Sequence, residues 1–309
     1  MILVTGSDGL IGRALTAQLD ARGFQVRPFD IARSPLEDTR NPAAVDAALD
    51  GVEGVVHLAA VSRVVWAQRD PGLAQAVNVE ALRSLMGAIA DRKQRPWIVF
   101  ASSREVYGEP GQLPVTEDAP LAPLNAYART KVAGETLANE ARKWGILANI
   151  VRFSNVYGCT NDHADRVVPA FAQVGARGGT LRLEGPENMF DFTHIDDVGR
   201  GLAMHVEATG AGEALPPIHF VTGHGTTLHQ LAGIAARTSV RPLDLEIAPS
   251  RNYDVGRFVG DPVRARELLG WEAAIGIERG FKMLTEAFRN CAPALAVADA
   301  DISRVALGA

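Results

Sequence analysis

The chain has 309 residues, 47% apolar and 22% charged, which is the composition of a folded globular protein and a length of about two domains. Its apolar stretches, such as Gly54 to Val61, stop well short of the roughly 18 residues a membrane span needs, so no membrane partner is expected. With 31 basic against 36 acidic residues, a net charge of −5 and no basic run, nucleic acid is excluded as a partner, leaving a small anion held in a local pocket.

Short β-branched runs alternate with amphipathic stretches: a strand from Ile2 to Thr5, a helix from Leu10 to Arg22, a strand from Gln25 to Phe29, a helix from Pro42 to Leu49 and a strand from Gly54 to Leu58. That rhythm predicts an α/β protein with a doubly wound parallel sheet, the Rossmann arrangement, covered by helices on both faces. It continues with a helix near Leu73 to Arg92, a strand from Trp97 to Ala101, a helix from Tyr127 to Trp144 and a strand from Leu147 to Phe153. From about Tyr157 the rhythm loosens into Gly- and Pro-rich pieces, read as a smaller α+β substrate-binding lobe. The division is placed at 1–155 and 156–309, with the boundary approximate and a return of the chain to the first lobe left open. The alanine-rich stretch from Ala292 to Ala309 reads as a partly ordered tail.

The first chemical signal is Thr5-Gly6-Ser7-Asp8-Gly9-Leu10-Ile11-Gly12, between a strand and a helix. Gly6, Gly9 and Gly12 permit a tight turn, close approach of the backbone to a pyrophosphate and a closely seated helix whose N-terminus, at Leu10 and Ile11, faces the anion. The alternative is a plain tight turn. Asp30 closes the second strand, where a carboxylate accepts hydrogen bonds from the adenosine ribose and repels a 2′-phosphate, which favours NAD over NADP. Arg33 nearby works against that preference, and a solvated strand end is the alternative reading of Asp30.

Tyr127-Ala128-Arg129-Thr130-Lys131 opens a helical pattern, and residues four apart share a helix face. An ammonium beside a phenol stabilises phenolate and draws its pKa down from about 10. Tyr127 is therefore a candidate general base, with Lys131 as its electrostatic partner. Upstream, Phe100-Ala101-Ser102-Ser103-Arg104-Glu105-Val106-Tyr107-Gly108 leaves a strand at its carboxyl end, the edge at which doubly wound sheets bind ligands. This places Ser103 and Glu105 to meet a substrate, against the alternative of serines capping the strand end and a solvated Glu105.

These residues resemble the extended short-chain dehydrogenases/reductases, and within them the NAD-dependent epimerase/dehydratase group that acts on nucleotide sugars. The resemblance runs along most of the chain. It rests on Thr5 to Gly12, Asp38-Thr39-Arg40, His57-Leu58-Ala59-Ala60, Asn78-Val79, Ser102 to Gly108, Tyr127 to Lys131, Arg152 to Gly158, Asp191 to Asp197, and Gly260-Asp261 through Leu269-Gly270-Trp271. It implies NAD as cofactor, with Asp38 and Thr39 by the adenine, Leu58, Ala59, Ala60 and Ser62 along the cofactor, and Asn78 behind and Ser154 beside the nicotinamide half. It further implies that Ser103 is the catalytic serine, that Asn155 holds the sugar or diphosphate, that Arg251 grips the diphosphate, and that the protein is a homodimer.

Two departures from the family pattern matter. An arginine is expected where Phe190 stands, with Arg166, Arg182 or Arg63 as candidate substitutes for the substrate's diphosphate. Dehydratases of the family have Asp-Glu after the catalytic residue; here Arg104 replaces the Asp and Glu105 stays. The leading expectation is a nucleotide-sugar 4-epimerase working through a transient 4-keto sugar, like the UDP-glucose 4-epimerases. The alternatives are a 4,6-dehydratase, decarboxylase or dehydrogenase of the same family, a substrate without a nucleotide, or a non-catalytic NAD-sensing protein. His57 and His194 lack metal-ligand spacing, Cys159 reads as packing, Asp196 and Asp197 as anchors of a helix start, and no metal is expected. Two cysteines, Cys159 and Cys291, make no disulfide framework, and Met1 runs directly into Ile2-Leu3-Val4, so a cytoplasmic location is expected.

Overall fold

In a computed structural model of the chain, residues 1–248 and 255–291 are described. The alanine-rich stretch from Ala292 onward and Arg251 lie outside them. The parallel sheet is built from β1 (Ile2–Thr5), β2 (Val26–Phe29), β3 (Gly54–His57), β4 (Trp97–Ser103), β5 (Ala148–Phe153) and, after β6 (Asn155–Tyr157), β7 (Gly179–Glu184) and β8 (Met189–His194), β9 (Ile218–Phe220). Its order is β2-β1-β3-β4-β5-β9. The order reverses at β1, which leaves a crevice between the carboxyl ends of β1 and β3, where such sheets take ligands.

Strand pleating sorts the side chains into two cores. Ile2, Val4, Val56, Val99 and Val151 face one side, and Leu3, Val55, Ile98, Phe100 and Ile150 face the other. Burial on both sides is why these strands read as continuous apolar runs. The first side is covered by α1 (Leu10–Ala21), whose buried Gly12, Leu15 and Leu19 recur at helical spacing. The second is covered by α2 (Pro42–Ala48) and, beyond α3 (Val64–Arg69) and α4 (Pro71–Gln75), by α5 (Ala81–Ala90) and α6 (Ala126–Lys143). Asn41 starts α2 by accepting the Ala44 N–H, with Pro42 at the first helical position.

The helix expected near Leu73 to Arg92 begins at Pro71, because Asp70 caps it through the Leu73 N–H, and passes through a π turn at Ala76–Glu80 before α5. The strand expected to end at Ala101 runs on to Ser103, paired with Phe153 of β5, and so carries both serines to the sheet edge.

The second half returns to the sheet. α8 (Ile195–Gly210) packs against α1 through Val198 and Leu202, and β9 pairs with β5. Between and after these, α7 (Val167–Arg177), β10 (Gly225–Thr227), α9 (Leu228–Thr238), β11 (Leu243–Ala248) and β12 (Arg257–Phe258) form a smaller body with β6, β7 and β8. Its core includes Tyr157, Phe171, Leu183, Phe192 and Leu231, closed by Phe281 and Leu284 of the last described helix; α10 (Val263–Leu269) rejoins the sheet, and α11 (Ile277–Asn290) stays with the smaller body.

Asp197 does not serve the start of α8 as its position leads one to expect. His194 accepts the Asp196 N–H there, while Asp197 receives the backbone N–H groups of Ala274 and Ile275, and its carbonyl accepts the indole N–H of fully buried Trp271. Among the described residues no helix is long and apolar enough to cross a membrane.

Candidate active site

A cleft of about 690 Å³ runs from the carboxyl ends of β1 and β2 to the smaller body. At its sheet end the glycine loop is constrained by close approach. Gly6 has φ +72°, and a Cβ there would fall 2.7 Å from the Ala59 nitrogen. At Gly12 a Cβ would fall 2.1 Å from the Gly6 carbonyl oxygen, so only glycine seats α1 this closely. Gly9 caps α1 with no side-chain hydrogen bond and no acidic residue follows in the first turn. The N–H groups of Leu10, Ile11 and Gly12 are thus left for an anion in the cleft.

Asp30 is buried at the end of β2, its carboxylate accepting the N–H groups of Asp8 and Ala32 at 2.9 Å each. Its own N–H donates to Glu37, an acidic residue in the cleft that sequence reasoning did not single out. Arg33 is held by Asp8 at 3.5 Å and Glu37 at 3.8 Å, and with Asp38 and Arg40 this part of the cleft has four carboxylates against two guanidiniums. Asp38, clamped by Arg40, lies beside Thr39 on the same wall, and Leu58, Ala59, Ala60 and Ser62 continue it from the end of β3.

Asn78 lies behind the cleft wall rather than on its surface. It is buried, and its amide accepts the Val61 N–H at 2.7 Å and donates to Thr130 Oγ1 at 2.9 Å. With its hydrogen bonds spent on the Val61 loop and on α6, it positions the cofactor wall and lines none of it. The expected structural reading of His57 fits its surroundings: Nδ1 meets Thr5 Oγ1 at 2.9 Å and burial pushes its pKa down to about 3.

At the centre of the cleft β4 and α6 bring Ser103, Tyr127 and Lys131 together. Asn125 starts α6 by accepting the Ala128 N–H, and the same side chain donates to Glu105 at 2.9 Å. Ser102 is buried and turned into a 2.5 Å hydrogen bond to Glu135, which leaves Ser103 as the more open of the pair. Ser103 Oγ accepts the Glu105 N–H at 3.2 Å, the capping role weighed in the sequence, and the Tyr127 phenol lines the same part of the cleft. Lys131 Nζ lies 5.7 Å from the centre of the Tyr127 ring and donates to the Ala101 carbonyl at 2.8 Å.

The electrostatics correct one sequence expectation. Burial pushes the Tyr127 phenol up to about 12, against the lowering from Ser103, Arg166 and Arg104, while Glu105 adds to the rise. Burial likewise draws Lys131 down to about 8, with Glu135 opposing. The lysine does not by itself make the phenol acidic, because desolvation in this dry centre outweighs the neighbouring cations.

Toward the smaller body, Arg104 is buried and pairs with Glu105 at 2.9 Å, donates from Nε to Asn155 at 2.8 Å, and stacks 4.7 Å above the centre of the Phe190 ring. Among the described residues its Nη1 has no hydrogen-bond partner. Of the proposed substitutes for an arginine at Phe190, Arg63 is paired with Asp165 and Arg166 with Asp162, both on the cleft. Arg182, more exposed, also lines the cleft, paired with Glu184 at 3.3 Å. Ser154 donates to the Asp191 carbonyl, and Asp191 holds the N–H groups of Thr222 and Gly223, so both tie the smaller body to the sheet edge. Cys159 is a free thiol, half-buried; among the described residues no cluster of metal-ligating side chains occurs.

A crevice at the β1 switch point with a glycine cradle and an acidic wall, opening onto a Ser-Tyr-Lys centre, defines a dinucleotide-dependent enzyme of the extended short-chain dehydrogenase/reductase type. The model of the NAD dependent epimerase/dehydratase family matches residues 2–220, and the chain belongs to that family. UDP-glucose 4-epimerase of Mycolicibacterium smegmatis is 31% identical over 310 residues, covering 93% of this chain and 98% of the relative. That of Corynebacterium glutamicum is 27% identical, covering 87% and 90%. The solved structure of Thermus thermophilus UDP-glucose 4-epimerase complexed with NAD superposes with TM-score 0.85 at 26% identity, covering 94% of this chain and 99% of that one. A dTDP-glucose 4,6-dehydratase from Streptomyces venezuelae with NAD bound gives TM-score 0.83 at 25% identity, covering 93% and 96%. The protein is an NAD-dependent enzyme, and the glycine cradle and uncapped α1 fit that cofactor.

Proposed function

We propose that the protein is a nucleotide-sugar 4-epimerase, working as a cytoplasmic homodimer on a nucleoside-diphosphate hexose of the UDP-glucose kind. The observation that carries this reading is the Ser103, Tyr127 and Lys131 centre beside a Glu105 already engaged by Arg104 and Asn125. Relatives named UDP-glucose 4-epimerase over nearly their whole length support it.

Tyr127 removes the proton of the sugar's 4-hydroxyl, and Ser103 hydrogen-bonds the same oxygen. NAD, when bound, supplies the hydride acceptor for C4 and gives the hydride back, so the cofactor is regenerated each turnover. Lys131 keeps a positive charge beneath the phenol ring and anchors it to the end of β4 through Ala101. The planar 4-keto sugar has to turn before it takes hydrogen on its other face, so the nucleotide must be held more firmly than the ring. Arg166 is the proposed diphosphate contact among the described residues, Arg251 is a further proposed contact that lies outside them, and Asn155, which lines the cleft, is proposed to hold the sugar.

A dehydratase reading needs a second acid–base group free to work at a neighbouring carbon. Glu105, two residues after Ser103, is held by an ion pair to Arg104 and a hydrogen bond from Asn125, which disfavours its moving to serve as that group. Incubation with UDP-glucose and UDP-galactose, following product identity and NADH absorbance, tests the proposal. The expected result is interconversion without net NADH; a 4-keto-6-deoxy sugar or accumulating NADH would shift the assignment to the dehydratase or dehydrogenase. Sedimentation of the purified protein tests the dimer.

A further inference from the structure

Arg33 follows Asp30 by three residues in a tight turn, its N–H donating to the Asp30 carbonyl at 3.0 Å. Its guanidinium is drawn onto Asp8 at 3.5 Å and Glu37 at 3.8 Å, two carboxylates of the cleft wall, while Arg33 itself does not line the cavity. The two carboxylates are not equivalent. Asp8 also faces Arg13 at 3.8 Å, whereas Glu37 has Arg33 as its sole ion-pair partner among the described residues. Glu37 is fixed in turn, because its Oε2 accepts the Asp30 N–H at 2.9 Å. The other arginine of this wall, Arg40, is engaged differently, with Nε and Nη2 both donating to Asp38.

The Arg33 side chain is nearly half exposed, and ion pairs in water are weak, so the loss of one partner is enough to let the arm move. An arginine near the acidic end of this strand is what accommodates the 2′-phosphate in sheets that bind NADP. While Asp8 and Glu37 are ionised, moving Arg33 onto such a phosphate strips both carboxylates of a counter-charge and leaves them facing a dianion. We propose that Arg33 is a latent 2′-phosphate contact and that Glu37, by holding it, is a cofactor-specificity residue that acts together with Asp30. The preference for NAD then has two sources, repulsion by Asp30 and capture of the one cation that would offset it. This rests on the reading that places the adenosine ribose at Asp30.

The test brings the full-length protein to equilibrium with mixtures of NAD and NADP and reads the ratio of the two nucleotides retained after gel filtration, which is independent of turnover. Glu37→Gln removes the charge but keeps an acceptor for the Asp30 N–H, and it should shift the ratio toward NADP by about 10- to 100-fold. Arg33→Met alone should move the ratio by less than about fivefold, whereas in the Glu37→Gln background it should remove most of the gain. A gain that survives Arg33→Met would mean that only repulsion had been relieved, and no gain in Glu37→Gln would mean that Arg33 does not reach the phosphate. Either result overturns the assignment of Glu37 and Arg33 while leaving Asp30 and the NAD site in place. Asp30→Ala without effect on either nucleotide would instead overturn the placement of the ribose, and this inference with it.

Discussion

Tyr127 begins from an unfavourable position, its phenol pushed up to about 12 by burial, so the surroundings have to supply what a bare tyrosine lacks. Tyr127→Phe removes the proposed base for the hydroxyl proton and should lower kcat by about 100- to 10,000-fold, with NAD content unchanged; near-normal turnover would remove it as the base. Lys131 offers a stability test with a definite sign. Burial lowers its pKa from 10.5 to about 8, so between those values the folded protein binds fewer protons than the unfolded chain. Stability of the nucleotide-free protein relative to Lys131→Met should therefore rise with pH from about 8 to 10.5. Denaturant midpoints of the two proteins across that window check it, and a falling difference would contradict it. Asp30→Ala should relax the preference for NAD over NADP, though Glu37 on the same wall should limit the change; titration with both nucleotides decides this. Tyr127 and Lys131 were legible in the sequence because their relation is local, four residues on one helix. The stacking of Arg104 on Phe190 was not, since it joins a β4 terminus to a strand of the smaller body and exists only once both are folded.

Among the elements, the β1–α1 junction and the start of α6 have the most to do with the site. Gly6 combines a positive φ with contact against the end of β3, so Gly6→Ala should both destabilise the fold and abolish NAD binding, read by thermal melting and by NAD titration. Stable protein with normal affinity would show that the crevice is not the cofactor site. Asn125→Ala removes a buried cap and should cost about 1 kcal/mol of stability, while freeing Glu105 from one of its two partners. The strand and helix order of the first half could be read from periodicity alone, because each strand is apolar on both faces and each helix on one. The ends were less legible: β4 extends past Ala101 because Ser102 and Ser103 still find partners on β5, a pairing no local pattern announces. The π turn that carries Asn78 inward likewise has no signature in Ala76-Val77-Asn78-Val79-Glu80.

Across the whole molecule, the chain leaves the sheet after β5 and returns through α8 and β9, so the second half completes the core of the sheet while the smaller body keeps its own. Ile195–Gly210 looks in sequence like any amphipathic helix, and only its packing on α1 shows which body it serves. The network around Asp191 and Asp197 couples the two bodies by backbone hydrogen bonds, so the cleft between them is a built feature of the fold. In the proposed reaction this cleft takes one proton and one hydride from the 4-position of a nucleotide hexose and returns hydrogen to the opposite face. The product mixture formed from UDP-glucose by the purified holoenzyme measures this. The expected result is approach to a UDP-glucose and UDP-galactose equilibrium with no net NADH and with loss of that activity in Tyr127→Phe. A dehydrated or oxidised sugar, or unchanged UDP-glucose, would contradict it.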